Sequence, residues 1–201
     1  MICICVVFVC SVLVEKHNLH SDMRQYFLYK QRQRRRRASE KGMVVIMKNS
    51  IIFDTIIGKL YLAETDGAIS HLYFAGDPSE YETAGVETPL LREAHSQINS
   101  YLEGKRTSFD LPLSPKGTPF QEKVWEALQT IPYGETISYK ELATRAGNPK
   151  ASRAVGMANN KNPISVIIPC HRVIGANGKL VGYGGGLPLK EKLLRLEGAL
   201  S

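Results

Sequence analysis

The sequence predicts an α+β fold in which a small N-terminal domain of β-strands and one helix precedes a mainly helical C-terminal domain. Residues 51–74 hold short β-branched and aromatic runs separated by turn signals, which is typical of antiparallel strands. Residues 118–160 hold apolar stripes at helical spacing between capping residues. A stretch rich in proline and glycine separates the two patterns and indicates a linker, and it contains Pro112, Pro115, Gly117 and Pro119.

The first 42 residues fit neither pattern. Residues 1–14 are nearly all apolar, but they are fewer than the roughly 20 residues that a membrane-spanning helix needs. A polar stretch follows and ends in four arginines at 34–37, which could bind nucleic acid but which we interpret as part of a disordered tail. Because the composition changes abruptly at Met43, we predict that residues 1–42 are an extension outside the folded protein.

The two predicted domains, residues 43–115 and 116–201, carry opposite charges within a chain whose net charge is +7. The first has 5 Lys or Arg and 10 Asp or Glu, a net −5, and the second has 12 and 6, a net +6. A basic domain suits a polyanionic partner such as DNA, but a solvated basic face would have the same composition. Charge alone leaves both interpretations open.

Cysteine usage indicates a reducing compartment. Three of the four cysteines lie within the first ten residues, so the predicted folded part contains Cys170 alone and no disulfide framework is expected. We therefore expect a cytoplasmic protein. No cysteine and histidine spacing matches a structural zinc site, and the sequence implies neither a metal nor another cofactor.

Strand and helix signals alternate in the N-terminal domain in a simple order. Strand-like runs occupy residues 51–53, 59–63 and 69–74. Asp66-Gly67 between the last two is a hairpin turn signal. Residues 90–101 then place apolar side chains on one helical face, and Gly104 ends that helix.

Capping signals divide the C-terminal domain into helices. Thr118 precedes Pro119 and has Gln121 three residues later, which predicts a helix start with a capping box. Ser138 and Gly147 bound a second helix, and a third covers residues 151–160 after a short turn, in the helix-turn-helix pattern. One face of the third helix carries small or β-branched residues, and they are Ala151, Ala154, Val155 and Ala158. Such a face favours either tight packing or close approach to a DNA groove.

A thiol and an imidazole stand together near the end of the chain. The apolar run 164–168 predicts a buried strand that leads into Pro169-Cys170-His171, and a glycine-rich segment follows at 182–186. A bare Cys-His pair is more often a small buried cysteine beside a capping histidine than a reactive centre. If the thiol is reactive, His171 is the candidate base. Successive residues of an extended chain point to opposite faces, so we expect a bridging water between the two side chains.

Asn162-Pro163 together with residues 167–173 (Ile-Ile-Pro-Cys-His-Arg-Val) resembles the active-site signature of the methylated-DNA–protein-cysteine methyltransferases. The similarity extends from Thr118 to Gly198 and more weakly back to Ile51. The resemblance implies a winged helix-turn-helix and DNA repair by irreversible transfer of the methyl or alkyl group of O-6-methylguanine to Cys170. It implies one turnover per molecule and a monomer that binds double-stranded DNA and no membrane, with O-4-methylthymine as a further candidate substrate.

The resemblance also implies roles for individual residues. The family's relay of cysteine, water, histidine and glutamate falls on Cys170, His171 and Glu197, although spacing alone would make Glu197 an exposed residue at a helix end. Tyr139 aligns with the tyrosine that protonates the leaving guanine. Of the pocket residues, Asn162 would be a hinge, the Val173 carbonyl would accept from the base's amino group, and Tyr183 would form a wall. Gly184 stands where the family often has serine, so only its backbone N–H could contact the exocyclic oxygen.

The DNA-binding residues implied by the resemblance lie on the third helix of the C-terminal domain. Arg153 matches the arginine that fills the space left by an extruded base. Its small neighbours would let the helix lie in the minor groove, where readout is degenerate, and these are Ala151, Ser152, Ala154 and Gly156.

Two other functions use the same residues. A non-catalytic module of the same shape would bind the lesion without removing it, but such relatives lack the cysteine that is present here as Cys170. A cysteine hydrolase would use the Cys-His pair with an oxyanion hole and would turn over many times.

Overall fold

A computed structural model describes residues 49–75 and 87–200, which belong to one compact unit. The predicted extension, residues 1–42, lies outside the described residues. Within the described ranges, no helix combines the length and the apolar character needed to cross a membrane.

The strands predicted at the start of the folded part are confirmed as an antiparallel sheet. In the described ranges it consists of β1 (Asn49–Thr55), β2 (Gly58–Thr65) and β3 (Ala68–Phe74), with β2 in the centre. Asp66 (φ 53°) and Gly67 (φ 76°) both adopt left-handed conformations, as a two-residue hairpin turn requires. The turn signal in the sequence therefore reported a real backbone constraint.

Helix α1 (Pro89–Leu102) packs on this sheet through one apolar face. The side chain of Thr88 caps its start by accepting from the Leu91 N–H at 3.1 Å. Gly104, with φ 73°, follows its end. The predicted helix is confirmed, with one additional residue at each end, and its buried apolar residues are Leu91, Ala94, Ile98, Tyr101 and Leu102.

The outer edge of β3 is covered by two separate stretches of chain. Ile69 exchanges backbone hydrogen bonds with residues 112–114, both at 2.8 Å. Leu72 does the same with residues 163–165, at 2.9 and 3.0 Å. The proline-rich stretch is thus partly paired with the sheet, and the segment that leads to Cys170 is anchored on the N-terminal strands. This pairing removes an exposed sheet edge.

The helices of the second half follow their capping signals. The capping box predicted at Thr118 and Gln121 is present at the start of α2. The side chain of Ser138 caps α3, and residues 146–151 join α3 to α4. The elements are α2 (Pro119–Gln129), β4 (Ile137–Ser138), α3 (Tyr139–Arg145), α4 (Ser152–Asn160), β5 (Val173–Ile174), which pairs in parallel with β4, and α5 (Leu187–Leu196).

The apolar run at residues 164–168 is buried, but the prediction of a strand there is wrong. Within the run, only Ile164 bridges to the sheet. The chain then turns, and the Ile167 N–H donates to the Ser165 carbonyl at 2.9 Å. Val166 at the centre of this turn has φ 71°, a conformation that costs a non-glycine residue about 1–3 kcal/mol. A short apolar run specifies burial but not backbone conformation, so periodicity could not distinguish a turn from a strand.

The Asn162 side chain holds this turn closed. Its Nδ2 donates to the Ile168 carbonyl at 2.8 Å, and its Oδ1 accepts from the Ile164 N–H at 3.0 Å. Both bonds are buried, so the amide satisfies two backbone groups that water does not reach. This geometry fits the hinge role that the resemblance gave to Asn162.

We expect Asn162→Asp to destabilise the protein by about 1–3 kcal/mol, because a carboxylate can still accept from Ile164 but cannot donate to Ile168. Urea unfolding followed by circular dichroism measures the change. Thr118→Ala, which removes a distant helix cap, is the control and should cost about 1 kcal/mol. An Asn162→Asp variant as stable as the parent protein would contradict the assignment.

Candidate active site

Cys170 lies in a tight turn and not on an extended chain. Residues Cys170–Arg172 form one 3₁₀ turn. The turn is entered through Pro169, whose φ of −81° and ψ of 62° make an inverse γ-turn closed by the Cys170 N–H and the Ile168 carbonyl at 2.8 Å. Because the chain is not extended here, the alternation of faces expected for Cys170 and His171 does not apply. The thiol is buried, with its residue 4% exposed.

Glu197 is a buried carboxylate at the C-terminal end of α5, only 5% exposed. The alternative of an exposed residue at a helix end is therefore wrong. Among the described residues, five donors bind its two oxygens. Oε1 accepts from His171 Nε2 at 2.6 Å, from Arg172 Nη2 at 3.2 Å and from the Tyr101 hydroxyl, and Oε2 accepts from Arg172 Nε at 2.9 Å and from the Gly134 N–H at 3.2 Å.

The donors keep Glu197 ionised despite its burial. Burial by itself raises the pKa of this carboxyl group. The hydrogen bond from His171, the charge that this ring gains only in acid, and the hydrogen bonds from Arg172 and Tyr101 outweigh burial and lower the pKa to about 2. The carboxylate therefore carries its negative charge throughout the physiological pH range. Arg172 is buried as well, and its Nη1 also donates to the Ile131 carbonyl at 2.6 Å.

His171 is fully buried and is held as a neutral ring. Burial lowers its pKa below the ordinary value; Glu197 opposes this shift, and the charges of Arg172 and Lys190 add to it. An ionised carboxylate can only accept, so Nε2 carries the ring proton that the Glu197 carboxylate binds. Nδ1 is then the basic nitrogen, and it accepts no hydrogen bond from the described protein groups. A neutral imidazole with an available Nδ1 can take a proton from a thiol.

Lys190 is a buried cation in the neighbourhood of the thiol. Its Nζ donates to the carbonyls of Val173 at 2.5 Å and Val181 at 2.9 Å. Burial lowers the pKa of Lys190 to about 8, and the charge of Cys170 acts in the opposite direction. A nearby positive charge favours the thiolate form of a cysteine.

Two tyrosines are electrostatic neighbours of Cys170. Burial raises the pKa of Tyr139 and of Tyr183, and the charge of Cys170 raises both further. The half-buried Tyr139 donates its hydroxyl to the Val181 carbonyl at 3.2 Å. The ring of the buried Tyr183 stands edge-on to His171, with centroids 6.4 Å apart, and its hydroxyl bonds to no described protein group. These positions are compatible with the predicted roles at the pocket.

Two further residues predicted for the pocket are next to members of this group in the chain. Val173 directly follows the Cys170 turn and is buried, and its carbonyl already binds Lys190. A carbonyl oxygen has two lone pairs, so it can accept a second donor. Gly184 is half-buried, and a Cβ atom at this position would meet no atom within 4 Å. The space that a serine side chain would occupy is therefore open.

The predicted DNA-binding residues lie on or next to α4. Arg153 and Ala154 are exposed, whereas Val155 and Ala158 pack in the core, so the expected alanine face is divided between solvent and core. Met157, which the sequence did not single out, is 64% exposed on the same helix. The remaining predicted members are half-buried, and they are Ala151, Ser152 and Gly156.

Three residues of this site received no role from the sequence. Arg172 lies within the signature next to Cys170 and His171 but was given no function of its own. Tyr101 matched the apolar stripe of a helix, and no pattern in the sequence marked Lys190. Their contacts with Glu197 and Val173 arise only in the folded chain. Within the described part of the chain, no group of His, Cys, Asp and Glu is arranged to hold a metal ion.

Comparisons with known proteins agree with this architecture. The family model "6-O-methylguanine DNA methyltransferase, DNA binding domain" matches residues 119–199, and its companion model, the ribonuclease-like domain, matches residues 50–115. The chain is 52% identical over 151 residues to the methylated-DNA–protein-cysteine methyltransferase of Methanosarcina acetivorans, which covers 74% of this chain and 97% of that protein. It is 60% identical over 148 residues to the Mycobacterium bovis protein of the same name, covering 72% and 88%.

Solved structures give the same result. The crystal structure of Mycobacterium tuberculosis OGT in complex with DNA matches with a TM-score of 0.69 and 47% identity, over 75% of this chain and 93% of that one. Together, the two family models, these relatives and this fold show that the chain belongs to the methylated-DNA–protein-cysteine methyltransferase family.

Proposed function

We propose that this protein repairs DNA by moving the methyl or alkyl group of O-6-methylguanine onto Cys170. One observation carries the choice of residue: the buried thiol lies in the same 3₁₀ turn as a neutral imidazole, and that imidazole is bound to an ionised carboxylate. A module that only binds the lesion does not need this arrangement. O-4-methylthymine is a second candidate substrate.

The proposed reaction uses His171 as the base and Cys170 as the nucleophile. Nδ1 of His171 takes the thiol proton through a bridging water, and Glu197 stabilises the resulting imidazolium. The thiolate attacks the alkyl carbon in line, a carbon–sulfur bond forms, and the carbon–oxygen bond breaks with its electron pair going to the guanine. Lys190 favours the thiolate before the attack.

The leaving guanine gains electron density and needs a proton donor. We propose that Tyr139 donates to the ring. To do so, its hydroxyl must leave the Val181 carbonyl and donate to the base instead. Tyr183 would then wall the pocket, Val173 would accept from the exocyclic amino group, and the Gly184 N–H would face the oxygen. The thioether product is stable, so each molecule acts once.

DNA binding is assigned to α4 and its surroundings. The proposed winged helix-turn-helix consists of α3, α4 and the loop after β5, where the Gly175 N–H donates to the Lys179 carbonyl at 2.9 Å. The exposed Arg153 would fill the gap left by the extruded base, whose unstacking costs a few kcal/mol. We further propose that the protein acts as a monomer on double-stranded DNA in the cytoplasm, and that residues 43–115 and 116–201 are its two domains.

The reaction predicts one alkyl group per protein, bound to Cys170. Duplex DNA with a labelled methyl on guanine should transfer its label stoichiometrically, and peptide mass spectrometry should place the label on this residue. Cys170→Ala should abolish transfer and keep duplex affinity within about tenfold, or 1.4 kcal/mol. Binding without transfer by the parent protein would favour a non-catalytic module, and several turnovers per molecule would favour a hydrolase.

The transfer rate should depend on pH through His171. Because the pKa of His171 is lowered by burial, the ring stays neutral down to pH values below the ordinary pKa of 6.5. The single-turnover rate should therefore not fall as the pH drops to 6.5 and should decline only below it. Fluorescence anisotropy at each pH separates this decline from lost DNA binding. A decline centred above pH 6.5 would show that His171 is not the base or is not held neutral.

Arg153→Ala should slow transfer from duplex DNA about tenfold more than transfer from the modified base alone, because only the duplex requires extrusion. Single-turnover kinetics on the two substrates give this ratio. Arg153→Lys retains the charge near the phosphates and serves as the matched control. If Arg153→Ala slows both substrates equally, Arg153 does not assist extrusion.

A further inference from the structure

Tyr101 connects the N-terminal part of the fold with the carboxylate of the proposed relay. It lies near the end of α1, its side chain is fully buried, and its hydroxyl donates to Glu197 Oε1. The same oxygen accepts His171 Nε2 at 2.6 Å. Tyr101, 96 positions before Glu197, therefore donates to the same carboxylate oxygen as the candidate base.

Packing fixes the ring of Tyr101 in this position. Phe109 lies against it with ring centroids 4.9 Å apart, and Tyr133 stands perpendicular to it at 5.9 Å. The helix itself is anchored on the sheet by buried residues such as Leu91 and Ile98. The hydroxyl consequently has little freedom to leave the carboxylate.

The hydrogen bond changes what Glu197 presents to His171. A donor on Oε1 spreads the negative charge of the carboxylate, so less of it is available to stabilise a proton on the imidazole. Burial and the charge of Glu197 both raise the pKa of Tyr101, so its hydroxyl remains a donor over the working pH range. The Tyr101 hydrogen bond is also one of those that lower the pKa of Glu197.

We propose that Tyr101 is a positioning residue of the alkyl transfer, through which the N-terminal domain fixes Glu197 against His171 and limits the charge that the carboxylate offers to the imidazole. This inference rests on the proposed Cys170–His171–Glu197 relay. It gives the N-terminal domain a part in the chemistry, because the orientation and basicity of His171 then depend on a side chain from α1.

Other titratable groups also face Glu197 and His171. Each lies on a different element from Tyr101, and the Tyr101 variants described below leave all of them unchanged. They are Tyr133 from the turn after α2, Cys170 and Arg172 from the 3₁₀ turn, Tyr183 from the glycine-rich segment and Lys190 from α5.

Tyr101→Phe removes the hydroxyl and keeps the ring. The acid limb of the pH–rate profile is the range in which the single-turnover rate falls as His171 takes up a proton. We expect this limb to move to higher pH by about 0.5–1 unit, because the less neutralised carboxylate holds the proton on His171 more firmly. Tyr133→Phe is the matched control. It removes a hydroxyl from the same aromatic cluster, but that hydroxyl donates to the Leu196 carbonyl at 3.1 Å and not to the carboxylate. Its acid limb should stay where the parent protein has it.

Site-specific replacement of Tyr101 by 3-fluorotyrosine tests the inference in a variant that keeps the hydrogen bond, should Tyr101→Phe not fold. Fluorine makes the phenol a stronger donor, so the acid limb should move to lower pH. An unchanged limb in the fluorinated protein, or equal limbs in Tyr101→Phe and Tyr133→Phe, would reduce Tyr101 to a structural residue and overturn the inference.

His171→Gln separates this result from a failure of the relay itself. If the parent protein's acid limb persists in His171→Gln, His171 is not the base, and both the relay and the role of Tyr101 fall. If the limb disappears in His171→Gln but does not move in the Tyr101 variants, the relay stands and only the inference about Tyr101 is overturned.

Discussion

The buried negative charge of Glu197 is the constraint on which the rest of the site depends. An unpaired carboxylate in a protein interior would cost several kcal/mol or would take up a proton. Here donors from α1, from the turn after α2 and from the 3₁₀ turn converge on it. Those segments must all be in place for the charge to be tolerated. The orientation of His171, and with it the available Nδ1, follows from this single requirement.

The sheet contributes to the site through the edge of β3. By pairing with residues 163–165, this strand fixes the segment that leads to the thiol. Asn162 then closes the turn that contains Val166 in its left-handed conformation, and the surrounding bonds offset the strain. A turn held in this way fixes the position of the Cys170 thiol, as the proposed in-line attack would require.

Helix α4 links the surface proposed to bind DNA with the turn that contains Cys170. Its inner face packs through Val155 and Ala158, and the indole N–H of Trp125 donates to the Ala158 carbonyl at 3.0 Å. Asn159 on the same helix donates to the Cys170 carbonyl at 3.4 Å. Its outer face exposes Arg153. If α4 binds DNA through its outer face, as proposed, it links the DNA directly to the turn that holds Cys170.

The sequence by itself determined the features that depend on neighbours a few residues apart. The Thr118–Gln121 capping box, the Asp66-Gly67 turn and the adjacent Cys170-His171 pair are local, so residue type and spacing specify them. Only the tertiary structure decided that residues 164–168 turn, that Glu197 is buried and that Tyr101 and Lys190 join the site. These features depend on contacts between distant segments, and a local pattern records that a side chain is apolar or charged but not which partner the folded chain brings to it.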